Sequence, residues 1–281
     1  MGAGPLSPES RRAIYRGAQV TAGAASLSDI LKHAAHMIAN GFFDLDPLRA
    51  HTTLPLDDYR TRVVALRKGF DRDSALRSLV EKLIAEWGAD PGDAYLDTLK
   101  LRIAPPGGKD MPHPLAPLRA HRDTWGSNIM QQINVWAPIM PLALGRTLAL
   151  WPDQFDQPIE NDSADWDLND LRRRRADGTL GGYPLMPTAI HAPSLRSAER
   201  MMPDVGDAII FSGSHLHASV PNHGAFARLN VEFRIVFLAD RNAGEGAPNV
   251  DGRAPCTPLH WFASLNGKRT LGDAAPPLAL M

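Results

Sequence analysis

The chain is predicted to be mainly β with flanking helices: an antiparallel sandwich or barrel preceded by a helical N-terminal region. Three observations carry this. Apolar residues recur at helical spacing through the first third, the period changes to two from residue 94, and the later strands follow one another without regular helical crossovers. Helices first and strands after, with no alternation between them, argue against a doubly wound parallel sheet.

The helices come first. Ser28 is placed as the N-cap of a helix over residues 29–40, with Ile30, Leu31, Ala34, Ala35 and Ile38 on one face and Gly41 as its stop. A second helix is predicted over 56–68, ended by Gly69, and a third over 73–87, where Leu76, Leu79, Val80, Leu83 and Ile84 share a face. Residues 95–103 then alternate as one strand, closed by the Pro- and Gly-rich run 104–108. Strands are expected at 129–138, 147–151, 207–211 and 229–239, each short and bounded by turn residues. Residues 152–203 read as a long polar insertion, the length of a lid or binding loop, and 241–281 as a Gly, Ala and Pro-rich coil over the surface.

Composition narrows the function. The 281 residues allow one large domain with a full core, and the net charge of −1 gives no global field for nucleic acid or a membrane surface. A single cysteine, Cys256, excludes an internal disulfide framework and a thiolate metal cluster; it is expected to be a buried, unreactive side chain. The longest apolar runs are about a strand in length, far short of a membrane span. Residues 1–10 lack the basic-then-apolar pattern of a signal peptide, so a cytoplasmic protein is expected.

The residues that carry chemistry begin at His121-Arg122-Asp123 and resume at His215-Leu216-His217-Ala218-Ser219, with Arg228 eleven residues beyond His217. Two imidazoles and a carboxylate, the first pair spaced i, i+2, are the donor set that holds non-haem Fe(II) and leaves three positions open. His215 and His217 share strand parity, so alternation alone cannot choose between them, and His223 is a weaker third. In the strand after Asp123, Gln132, Asn134 and Trp136 fall on one face and Ile133, Val135 and Ala137 on the other. A polar face beside a His-x-Asp turn suits a barrel mouth that holds a ligand.

The pattern His121-x-Asp123, then Leu216-His217-Ala218-Ser219-x-Pro221-Asn222, then Arg228, resembles the phytanoyl-CoA dioxygenase-like group of Fe(II)/2-oxoglutarate oxygenases. The resemblance covers residues 94–240 and implies a double-stranded β-helix, a jelly roll of two facing sheets. It implies that His217 is the distal metal ligand, and that Arg228 and Ser219 take the far carboxylate of 2-oxoglutarate. Chemistry agrees, since the planar fork of arginine matches a carboxylate bidentately. The expected organisation is then one oxygenase domain over 1–281, with a helical region 1–93, a core 94–240 interrupted by 152–203, and a tail 241–281.

Other assignments are weaker. Gln132, Asn134 and Arg102 are further candidates to bind the co-substrate, with Lys100 behind Arg102; Trp125 and Trp136 are candidates to wall the substrate pocket. Arg234 rivals Arg228 by parity, but an ion pair with Asp or Glu is the favoured role for it. The loop 105–119 leads into the metal turn and is a candidate lid. The run 172–175 of four arginines is read as a solvated helix face with local ion pairs. The chain is expected to use Fe(II), 2-oxoglutarate and O2 on a small-molecule substrate, with retention of Asp123 favouring hydroxylation over halogenation. The rival readings are a cupin-like metal enzyme that uses no 2-oxoglutarate, and a non-catalytic small-molecule-binding barrel.

Overall fold

Period-two alternation becomes two sheets in the computed structural model, which describes residues 4–107 and 111–274. The strands are β1 (Val20–Gly23), β2 (Ala94–Leu96), β3 (Lys100–Ala104), β4 (Ile133–Pro138), β5 (Leu148–Leu150), β6 (Glu199–Met201), β7 (Asp207–Ser212), β8 (His217–Ser219), β9 (Arg228–Phe237) and β10 (Ala263–Ser264). Among the described residues, the larger sheet runs β1-β7-β4-β9-β2-β10 with β3 also paired to β9, and the smaller runs β6-β5-β8. All the pairings are antiparallel. Residues 118–121 continue the smaller sheet beside β8, through Ser219 N–H to Leu118 O (3.0 Å) and a reciprocal pair between His121 and His217.

Successive segments therefore alternate between the sheets: β3 large, 118–121 small, β4 large, β5 and β6 small, β7 large, β8 small, β9 large. That winding is a double-stranded β-helix, the jelly roll that was expected. The sheets face one another through Trp136, Leu148, Leu150, Met201, Ile209 and Phe211. The outer face of the large sheet meets a helical layer in the main core. Leu101, Ile133, Val135, Val231, Phe233 and Ile235 pack there with Ile30, Leu31, Ala34, Val63, Leu66, Leu76, Val80 and Leu83. Each of the larger of these side chains contributes about 1.5–3 kcal/mol by leaving water.

The helical region departs from its predicted limits in informative ways. The first long helix is Ala25–Phe42, so Ser28 lies inside it; its N-cap is Ala24, which makes no side-chain cap bond. The helix Leu56–Arg72 runs through Gly69 and stops where Asp73 caps the next helix, Ser74–Glu86, by accepting from Ala75 N (2.8 Å). Burial of Phe70 outweighs the glycine penalty of about 1 kcal/mol. The strand predicted over 95–103 is two strands, β2 and β3, because Asp97 turns inward to accept from Arg234 N (3.0 Å). A helix Pro8–Tyr15 and β1 were not anticipated.

The insertion and the tail carry more order than their composition suggests. Residues 152–203 contain β6 and a helix Leu168–Ala176 capped by Asp167, and Trp166, Leu168 and Leu171 form a small apolar cluster with Leu185 and Trp261. The tail contributes β10 and Asp251, whose carboxylate accepts from Arg122 Nε, Trp125 Nε1 and Ile159 N. Residues 1–3, 108–110 and 275–281, which fall in the predicted N-terminal stretch, the candidate lid and the tail, lie outside the described residues. No helix among the described residues is long and apolar enough to cross a membrane.

Candidate metal centre

The reciprocal backbone pair between His121 and His217 (N···O 3.0 and 2.9 Å) makes the two residues cross-strand neighbours. Such neighbours put their side chains on the same face, and the ring centroids here are 4.1 Å apart. Asp123 follows at the start of a short helical turn, Thr124–Ser127, which Thr124 N–H ties to Gly213 O. Gly213 packs closely there, since a Cβ would stand 2.8 Å from Gln132 Nε2 and displace that side chain.

His121, Asp123 and His217 each offer a ligand atom within 4.8 Å of the others, and all three side chains are buried. His121 Nδ1 sits 2.7 Å from Arg119 O, and His217 Nδ1 2.9 Å from His215 O. With a proton on each Nδ1, both Nε2 lone pairs are free to meet a cation, the usual arrangement of ligating histidines. Burial, then the neighbouring His217, lowers His121 to about 3, so its imidazole is neutral and able to ligate. Burial alone would raise the Asp123 carboxyl, but Arg234 and the two imidazoles hold it well below the usual range, as an anion. This donor set fits a divalent metal with open positions.

His215, the rival ligand, points elsewhere: its Nε2 lies 3.1 Å from Gly17 O and its ring packs on Phe155. Asn134 donates from Nδ2 to Asp123 Oδ2 (2.6 Å), orienting the carboxylate, while Gln132 donates to Asn134 Oδ1 (2.9 Å). Gln132 is therefore corrected from a co-substrate contact to a support one step behind; it is fully buried and does not line the cavity. Trp125 is corrected too. Its ring packs with Trp151, Leu216 and Ala218, its Nε1 donates to Asp251 (2.6 Å), and it lines no part of the cavity, whereas Trp136 does.

The cavity holds about 390 Å³ between the sheets, with the triad at one side. Trp166, Leu171, Leu185, Met186 and Pro187 of the insertion line it, as does Trp261 of the tail. Alternation along β9 turns Arg228, Asn230, Glu232 and Arg234 away from the helical core. Arg228 is buried and donates to Thr147 O (2.8 Å) and to Ser219 Oγ (3.2 Å), leaving its buried Nε without a partner. Burial lowers it to about 10, with Glu232 opposing and Arg102 adding to the shift; it stays charged at neutral pH.

Arg234 is engaged as an ion-pair partner, at 3.1 Å from Asp97 and 3.4 Å from Asp123. Arg102 donates to Glu232 (2.9 Å) and Lys100 to Asp97 (2.6 Å), and all four side chains line the cavity. Burial would raise Glu232, but Arg102 and Lys100 hold it down to about 2. The four-arginine run does carry an exposed ion pair, Arg173 with Asp170 (2.7 Å), but Arg175 reaches the cavity rim.

Sequence reading missed Arg122, Asp97, Glu232 and Arg67. Arg122 lies between the ligands but points away from them, donating to carbonyls of Gln154, Phe155, Gln157 and Ser214 and so pinning the insertion to the metal turn. Nothing local marks it. Glu232 could have been found, because it shares parity with Arg228 and Arg234 on a strand whose other face is apolar.

No family model matches the chain, and no curated protein does. Among solved structures it is similar to EctD from S. alaskensis in its apoform (15% identity, 96% of this chain and 89% of that one, TM-score 0.44). It is also similar to EvdO2 from Micromonospora carbonacea var. aurantiaca complexed with 2-oxoglutarate (13%, 84% and 94%, TM-score 0.46). A third is the epimerase SnoN in complex with Fe3+, alpha ketoglutarate and nogalamycin RO (12%, 82% and 83%, TM-score 0.43).

Proposed function

We propose that the protein is an Fe(II)/2-oxoglutarate-dependent oxygenase that hydroxylates an unactivated C–H bond of a small molecule, converting 2-oxoglutarate and O2 to succinate and CO2. The observation that carries this is a charged arginine with a free buried donor, Arg228, in the same cavity as a buried His-Asp-His triad. Metal chemistry without a dicarboxylate needs the triad but gives the remaining donor of Arg228 no ligand.

His121, Asp123 and His217 would hold the metal, which when bound supplies the ability to activate O2 with electrons from a 2-oxo acid. The chain's own work is positional. Arg228, held by Thr147 O and Ser219 Oγ, presents its guanidinium to the far carboxylate of the co-substrate and neutralises it in a site that excludes most water. Asn134, braced by Gln132, fixes the direction of Asp123, and Arg234 balances its charge. The apolar residues of the insertion cover the cavity and keep bulk water from the reacting carbon. Trp136 walls the substrate space, and the soluble setting assigned is the cytoplasm.

Anaerobic calorimetric titration with Fe(II), then 2-oxoglutarate, tests this. Metal binding is expected to be lost in His217→Ala and kept in His215→Ala. Arg228→Gln should weaken 2-oxoglutarate by about 10-fold or more with metal affinity intact. Metal binding without any 2-oxoglutarate binding would overturn the reading.

A further inference from the structure

The cavity's lining carries a charge imbalance that the metal and its co-substrate leave standing. Arg122 also lines the cavity, but its guanidinium is already engaged by Asp251 and by backbone carbonyls. Setting it aside, six cationic side chains (Arg67, Lys100, Arg102, Arg175, Arg228, Arg234) face three carboxylates, Asp97, Asp123 and Glu232. A divalent metal and a dicarboxylate cancel, so the excess of positive charge remains for something else.

The excess is concentrated on one side. Asp97 takes Lys100 and Arg234, and Glu232 takes Arg102. Arg67 has no ion pair or side-chain hydrogen bond among the described residues; burial, then Arg102, lowers it to about 10, with Glu232 opposing. A second cavity of about 380 Å³ adjoins the first, and Arg67, Thr98, Lys100 and His113 line both. Its wall is one face of the helix Leu56–Arg72: Arg60, Val64, Arg67, Lys68 and Asp71, which fall at helical spacing. His113 stands in the field of Arg67, Arg102, Arg175 and Arg60; burial and that field lower it to about 4, so it is a neutral hydrogen-bonding group at pH 7. A part-buried arginine with no ion pair among the described residues, at the junction of two cavities, is what an anion would complete.

We propose that the substrate is anionic, with a phosphate or carboxylate group seated on Arg67 at the junction of the two cavities and its oxidisable carbon toward the triad. Arg102 and His113 flank that seat, and Arg60 and Lys68 mark the approach to it from solvent. The proposal rests on the reading of the triad as the reactive centre, but the seat itself is a binding site that can be measured without turnover.

The test uses full-length protein loaded with Mn(II) and saturating 2-oxoglutarate, so that Arg228 is already occupied, and titrates inorganic phosphate and, separately, acetate by calorimetry. One or both should bind saturably and weaken as salt rises; the tighter of the two tells a phosphate seat from a carboxylate seat. Arg67→Gln should weaken that binding by about 10-fold or more, and Arg67→Lys should restore part of it. The exposed control Arg196→Gln should change nothing, and the 2-oxoglutarate affinity should stay within about twofold in all three. Unfolding midpoints check that each variant folds. Absence of saturable binding by both anions, or binding undiminished in Arg67→Gln, overturns the proposal. If 2-oxoglutarate fails to bind but Arg67-dependent anion binding persists, the oxygenase reading falls and the anion seat stands.

Discussion

Along β9, Leu229, Val231, Phe233 and Ile235 lie in the helical core, while Arg228, Asn230, Glu232 and Arg234 alternate with them on the opposite side of the strand. One backbone serves both sides, yet they are held by different physics. The core side is non-directional: its stability scales with apolar area, and it accepts residues of similar volume. The cavity side is held by specific ion pairs, Arg102 with Glu232 and Arg234 with Asp97 and Asp123. Removing one partner there strands the other in a place where desolvation is expensive. Stability and ligand chemistry are thus separated by a rotation of one residue along the strand.

That separation can be broken from either side. Ile235→Ala, on the core side, is expected to cost about 2–5 kcal/mol in denaturant unfolding, with metal affinity of the folded protein little changed. A large loss of metal affinity at constant stability would show that the two sides are coupled through the strand. On the cavity side, Asn134→Ala removes the donor that orients Asp123. Metal affinity should fall by about 10–100-fold, with a smaller stability change than at Ile235.

The acid limb of the stability curve probes the cavity side once more. An unfolded glutamate takes up its proton near its ordinary value of 4.5, whereas Glu232 in the folded protein waits until about 2. The unfolded state therefore binds more protons between those values, and stability falls as pH drops through that window. In Glu232→Gln the unfolding free energy should be lower at neutral pH and its decline between pH 4.5 and 2 shallower than in the parent. An unchanged slope would mean that Glu232 is not held as an anion by Arg102 and Lys100.

Much of this was legible because it is local or periodic. The alternation in 131–138 and 229–239 told which side chains share a side, and the structure puts Asn134 and Trp136 at the cavity and Ile133 and Val135 in the core. The helix Ser74–Glu86 was readable from its apolar period, but Leu56–Arg72 overran its predicted stop because packing of Phe70 overrode Gly69. Trp125 was misjudged because sequence distance from Asp123 says nothing about direction. One turn of helix carries the ring away from the cavity to Asp251, a residue 126 positions on. The insertion offered few strand or helix signals because its helix is short and polar; its apolar residues pack with Trp261 of the tail.

By itself the sequence determined the donor set and the side of each strand, since ligand chemistry depends on residue type and alternation on the backbone's own period of two. Alternation could not separate His215 from His217, which share that parity; the resemblance implied His217, and the tertiary structure brings His217 beside His121 and Asp123. The choice is made by the pairing of His121 with His217 across two segments far apart in the chain, while the carbonyl of Gly17 engages His215. The same holds for Arg67: helical spacing gives its face, but its place between two cavities depends on how the helix Leu56–Arg72 packs beside β3, which no local pattern encodes.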